Sequence, residues 1–549
     1  MDVKMKRRLR VYTIMVLLFT ALLAGCGTDT EKGDMADNGL EQQQKQETLP
    51  GWQLHAEDKV SLEWYINYSW FTTAWGENLV SRTITEETGI DIEFIVPMGN
   101  ESEKFNSMIA SGSLPDLITL GWWENQIDEM ISKDMVYALN ELADEYDAYF
   151  WQVANPQIMD WNEREDGNVY FYPNSFYVPQ DYEERDDIGT NQTFLVRKDI
   201  YEAIGSPDMT TPEGFKSAVR KAVELFPEVD GEPLIPIGAH MFTDAGCVSF
   251  DQYLQNFLAV PYEKDGRYYD RYTDPDYINW LKTFRGLGSE GYLAKDIFID
   301  QRTQMEEKIA AGRYFCMLYQ RTDMEAQQKE LSMKHPEMIY MAVDGPKNAA
   351  GDDHVLPGTG SNGWTVTLIS KSCKRPDRAI ELMSYFMSEH GQKMIYLGVE
   401  GVTYDMVDGQ PVIRPEVKEV LNTNRTEYDR IYGADNTYWM LQDNVMQMDW
   451  HGKPEGPGAQ LEQWTYPYTY YLGQYEIDFE TNTKAGNADL NIKKLWSQVL
   501  PKLLLAKSEE EFDILLQEFV EKREALGYAV VVEESERQIK EAKERLGIG

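Results

Sequence analysis

The sequence predicts an α/β fold divided between two packed domains. Two observations carry this reading. Strand and helix patterns alternate from Val60 to Leu120, which implies a mostly parallel sheet with helices on its faces. The chain is also 549 residues long with 42% hydrophobic and 12% aromatic residues, too much for one core.

At the N-terminus, Lys4, Lys6, Arg7, Arg8 and Arg10 precede an apolar run from Val11 to Ala24 that is short for a bilayer span. This is the pattern of a secretory signal peptide over residues 1–25. Leu22-Leu23-Ala24-Gly25-Cys26 resembles the lipobox of bacterial lipoproteins, a resemblance that implies a lipid-modified Cys26 as the membrane anchor. Each acyl methylene buried in the bilayer contributes about 0.8 kcal/mol. Residues 26–58 are polar, with almost no aliphatic clusters, and read as a flexible stalk.

The folded body opens with a strand at Val60 (VSLEWYIN), then a segment to Thr88 that Gly89 ends, then an alternating strand from Ile90 to Val96. Phe105, Met108 and Ile109 recur at helical spacing between Lys104 and Ser111. Gly112 suits a left-handed cap there, and Pro115 prevents continuation. The apolar strand Leu117-Ile118-Thr119-Leu120 follows, so Trp122 and Trp123 fall at a strand's carboxyl end, where such sheets bind ligands. Tyr170 to Thr190, with Pro173, Pro179 and Gly189 among aromatics, reads as a crossing between domains. From Ser508 onward an acidic-basic helical pattern reads as solvated packing helices.

A net charge of −41 repels nucleic acid and excludes it as a partner. With Cys26 set aside, Cys247, Cys316 and Cys373 form no CxxC pair, and the six histidines are scattered. Neither a thiol-redox site nor a zinc site is expected, and the three thiols read as buried and unreactive.

Ala110 to Leu120 (ASGSLPDLITL) resembles a signature of bacterial extracellular solute-binding proteins of ABC importers. Four further segments concur in order. Asn191 to Phe215 resembles the entry into the family's second lobe, Ala311 to Met317 its returning strand, and Pro376 to Ser388 a late helix. Tyr396 to Tyr404 (YLGVEGVTY) resembles a motif of the LplA-like lipoprotein subgroup that handles oligosaccharides. The resemblance implies a two-lobe periplasmic-binding-protein-like fold of type II with crossing hinge segments. Its first lobe is expected at 59–178 with 314–362, and its second at 190–310 with 363–549. It also implies a monomer that binds an oligosaccharide and works with membrane permease subunits and a cytoplasmic ATPase. Where several relatives carry a calcium loop, Phe226 to Pro233 has too few oxygen ligands, and Asp181 to Asp187 reads as a solvated loop. No metal and no cofactor are expected.

A glycan cleft needs aromatic rings for C–H faces and planar polar groups for hydroxyls. The candidate ligand-binding residues are Trp70, Trp122, Trp123, Arg321, Asn362, Trp364, Glu400 and Tyr404, with Trp64, Tyr65, Asn67, Trp439 and Trp464 behind them. Trp364 follows the glycines of GTGSNGW, and Arg321 stands after Leu318-Tyr319 as a fork for vicinal hydroxyls or a uronate. The competing readings are a secreted glycoside hydrolase, which needs a carboxylate pair that no local motif nominates, and a surface scaffold, which needs repeats. The expected protein is not an enzyme. Its sugar is left open between uronate oligomers and neutral ones.

Overall fold

A computed structural model describes residues 49–98, 101–480 and 482–548, so the predicted signal peptide, Cys26 and the stalk as far as Thr48 lie outside the described residues. The first sheet is built as the sequence predicts. β1 (Val60–Ile66) pairs in parallel with β2 (Ile90–Ile95) and with β3 (Leu117–Gly121). The helix Leu79–Thr88 returns the chain between β1 and β2, and Gly89 ends it at φ 73°. A side chain there would strike the Ala56 carbonyl, so glycine is required twice over. The helix Glu101–Ser111 makes the second crossover, with Gly112 at φ 68°. Thr365–Ile369 then adds antiparallel to β3, and Tyr172–Pro173 pairs on its far side.

The second sheet is mainly antiparallel. Gln192–Arg197 runs opposite to both Tyr314–Gln320 and Tyr340–Ala342, while Ile235–Gly238 lies parallel to Tyr314–Gln320. Each sheet has its own core. One joins Trp64, Ile84 and Leu117 with Phe386 and Tyr438. The other joins Phe194, Phe215 and Trp280 with Phe315, Trp496 and Phe519.

This pairing corrects the expected lobe boundaries. The strand Tyr314–Gln320 belongs to the second sheet, not the first, and Thr365–Ile369 belongs to the first sheet, not the second. The chain therefore passes between sheets at about 174–191, again between Ala342 and Thr365, and a third time between Leu441 and Ala459.

Two further expectations change. The acidic stretch from Asp181 begins inside a short helix, Pro179–Glu184, whose Asp181 carboxylate accepts from the Val178 N–H. The last residues assigned to the stalk are folded, because Gly51–Leu54 is helical and Trp52 is 4% exposed, seated between Tyr385 and His390. One tryptophan in a polar stretch is enough to dock it. Phe226 to Pro233 forms a small hairpin that turns at Asp230-Gly231. Cys247, Cys316 and Cys373 are all buried, and burial pushes the Cys373 thiol up to about 12. The C-terminal helices pack Phe512, Leu516 and Val531 onto the second core.

Candidate functional site

β1 and β3 deliver their carboxyl ends side by side, and Thr365 pairs with Gly121. Residues just past the ends of β1 and β3 and just before Thr365 therefore share one rim. Four aromatic rings gather there. Trp70 and Trp364 lie face to face, centroids 6.1 Å apart and 8° from parallel. Trp439 closes against Trp364 at 4.6 Å, and Tyr68 stands 5.5 Å from both Trp70 and Trp364. Trp439 is buried beneath the group, whereas Trp70 is 55% exposed. Trp70 thus presents an open indole face to solvent beside packed neighbours. Trp122 joins the rim through its backbone N–H, which donates to the Trp364 carbonyl, and Trp123, 49% exposed, stands edge-on to it.

The strands Ile235–Gly238 and Tyr314–Gln320 end together, at His240 and at Gln320-Arg321. His240 stacks on Tyr319 at 4.3 Å and meets Tyr253 edge-on at 5.4 Å. Its Nε2 is buried with no hydrogen-bond partner among the described residues, and burial pulls its pKa down to about 4. A neutral imidazole with an unused nitrogen is suited to a hydroxyl. Beside it, Tyr253 donates to Gln320 Oε1, while Gln320 Nε2 donates to Thr322 and Asp323.

The crossing segments are stitched between these two rims. Asn362 receives a hydrogen bond from Trp161 Nε1 at 2.8 Å and donates to Glu476 Oε2 at 2.9 Å. Glu476, desolvated with only Asn362 and the Gly360 N–H opposing, is raised to about 7. Arg321 Nε donates to the Thr190 carbonyl at 2.9 Å, and Nη1 lies 3.5 Å from Glu462.

The predicted residues thus separate into groups. Trp70, Trp122, Trp123 and Trp364 come together on one rim. Asn362 and Arg321 reach the crossing, where each is held by protein partners. Glu400 and Tyr404 lie apart: they bridge one another at the base of the hairpin Tyr404–Val407 with Gln410–Ile413, and Tyr404 is 6% exposed. Trp64 and Tyr65 are interior to β1 and fully buried, so they are core rather than loop. Trp464 packs on Phe257 and His354 in the second lobe. Sequence reading passed over Tyr68 and His240. Their signal was position, each lying one or two residues beyond a strand's carboxyl end.

Residues 69–301 match the model of the family described as bacterial extracellular solute-binding protein. The chain is 20% identical over 427 residues to the polygalacturonan/rhamnogalacturonan-binding protein YtcQ of Bacillus subtilis (strain 168), covering 73% of this chain and 75% of the relative. Its fold is that of the S. pneumoniae ABC-transporter substrate-binding protein FusA in complex with kestose, at TM-score 0.67 and 15% identity over 88% of this chain and 100% of the other. The alginate-binding protein AlgQ2 shares the fold at TM-score 0.64 and 18% identity, over 88% of this chain and 99% of the other. The chain accordingly has a two-lobe periplasmic-binding-protein-like fold.

Proposed function

We infer that this chain is the membrane-tethered substrate-binding subunit of an ABC importer, capturing an oligosaccharide between its lobes for delivery to the permease. The observation that carries this reading is the half-exposed Trp70 stacked on Trp364 at the carboxyl ends of the first sheet's strands. Sugar rings present C–H faces that stack on indoles, and His240 on the second-lobe rim keeps a ring nitrogen without a protein partner for a hydroxyl. Three crossing segments allow the lobes to close over the ligand by hinge motion. The family and the sugar ligands named for its relatives support binding over hydrolysis. Tethering rests on the lipobox-like Leu23-Ala24-Gly25-Cys26.

Calorimetric titration of the full chain with a panel of oligosaccharides, each recovered and checked for cleavage, tests the reading. One-to-one binding of an intact oligomer is expected. Breakdown of the oligomer would make the chain a glycoside hydrolase, and silence across the panel would remove the oligosaccharide.

A further inference from the structure

Two cations of the second lobe are bonded to the body of the first, outside the crossing segments. Arg545 lies in the last turn of the helix Tyr528–Leu546, which packs Val531 into the second core. Its Nη1 donates to the Trp161 carbonyl at 3.1 Å and to the Glu163 carbonyl at 3.4 Å. Those carbonyls end the helix Pro156–Asn162, whose Ile158 and Met159 belong to the first core. Lys329 lies in the helix Glu325–Lys334, which packs Leu331 with Tyr314 and Tyr340 of the second sheet. Its Nζ donates to the Leu421 carbonyl at 3.0 Å. Leu421 is in the last turn of Pro415–Thr423, a first-lobe helix that buries Val417.

The two contacts have the same chemistry. The last carbonyls of a helix lack an intrahelical partner and carry the negative end of its dipole, so a cation is favoured there. Water is partly excluded at both places. Burial pulls the Lys329 ammonium below its ordinary value, with Asp435 and Arg425 of the first lobe facing it. Asp478, tied to the Tyr528–Leu546 helix through Gln538, is raised to about 6 chiefly by burial, and Asp128 and Arg164 of the first lobe face it.

While both contacts are made, Trp70 is 55% and Trp123 49% exposed, so the second lobe does not cover the aromatic rim. A rotation that carries the second-lobe rim over these indoles moves one lobe body against the other. Hydrogen bonds between those bodies depend on distance and angle and cannot follow that motion unchanged. Their energy therefore favours the open arrangement and opposes closing.

We propose that Arg545 and Lys329 are latches that hold the lobes open and set the threshold for ligand capture. The proposal rests on the oligosaccharide-receptor reading above and assigns its regulation.

The test compares the full chain with the double variant Lys329→Met, Arg545→Met and with the donor-keeping pair Lys329→Arg, Arg545→Lys, all matched for thermal unfolding. Small-angle scattering without ligand is expected to show a more compact particle for the methionine pair. Calorimetric titration with gluco-, xylo-, fructo- and galacturono-oligosaccharides is expected to show the methionine pair about threefold or more tighter for whichever oligomer binds the parent. The donor-keeping pair is expected to match the parent in both. An unchanged or expanded particle, affinity equal to or weaker than the parent's, or an equal gain in the donor-keeping pair overturns the latches and leaves the receptor reading intact. Failure of every oligomer to bind the parent overturns the receptor reading, and the ligand-free scattering still decides whether the two contacts hold the lobes apart.

Discussion

Trp70 and Trp364 stack 6.1 Å apart and 8° from parallel, although one follows the first strand and the other opens a strand from the far half of the chain. The pair exists because the antiparallel pairing of Thr365 with Gly121 sets the entry to the later strand beside the end of β3, next to β1. An aromatic surface is thereby assembled from segments that become neighbours only in the completed sheet.

Trp70→Ala is expected to weaken affinity for the bound oligosaccharide tenfold or more, about 1.4 kcal/mol. Because Trp70 is 55% exposed, the unfolding free energy should stay within about 1 kcal/mol of the parent. Calorimetry and denaturant unfolding on the same sample separate the two effects. Equal affinity would remove Trp70 from the site.

Arg321→Ala is expected to act on the hinge rather than on the sugar. It removes a charge-assisted bond to the Thr190 carbonyl and the partner of Glu462, a destabilisation of about 1–3 kcal/mol. Adding Glu462→Gln should recover part of that loss, because it discharges the carboxylate left behind. A double-mutant cycle by denaturant unfolding checks this, and strict additivity would show that the pair is uncoupled.

Glu476 gives the stability a defined pH dependence. Its folded value of about 7 lies above the ordinary 4.5, so between those values the folded chain keeps a proton that the unfolded chain releases. The group therefore costs nothing below about pH 4.5, and its penalty grows until pH passes about 7. The groups facing it are Asn362, the Gly360 N–H and the phenols of Tyr182 and Tyr471. Glu476→Gln should be more stable than the parent at pH 8 by about 1–3 kcal/mol and equal to it at pH 4.5. Unfolding midpoints at the two pH values decide this, and a gain of the same size at both would assign the effect to packing.

Trp52→Ala should release the N-terminal segment without melting the first lobe. Trp52 is held edge-on to Tyr385 at 4.9 Å and stacked on His390 at 5.8 Å, while Gly51 N–H reaches Asp147. Hydrogen exchange is expected to speed up in residues 51–55 while β1 stays protected. Loss of protection in both would make this segment part of the global fold.

Local features of the fold were legible and partners were not. Gly89, Gly112 and Pro115 mark where segments stop because φ and a missing N–H are properties of single residues. Tyr314–Gln320 reads equally well as a buried strand in either sheet, since every residue but the last is buried and its pattern carries no record of pairing with Gln192–Arg197. Trp70 and Trp364 were visible as aromatics beyond strand ends and glycine turns. Arg321 was correctly placed at a strand end, yet its Thr190 and Glu462 partners come from other segments, so its occupation could not be read. His240 was hidden because an isolated histidine is ordinarily a satisfied core residue. Only the carboxyl-end position after IPIGA marked it out.

Hydrogen exchange of the full chain with and without a saturating oligosaccharide reads out whether both lobes grip one ligand. One ligand is expected to protect both rims at once, near 67–70, 122–124 and 364 in the first lobe and near 239–242 and 319–321 in the second. Protection confined to a single lobe, or to a surface away from both strand-end rims, would contradict it.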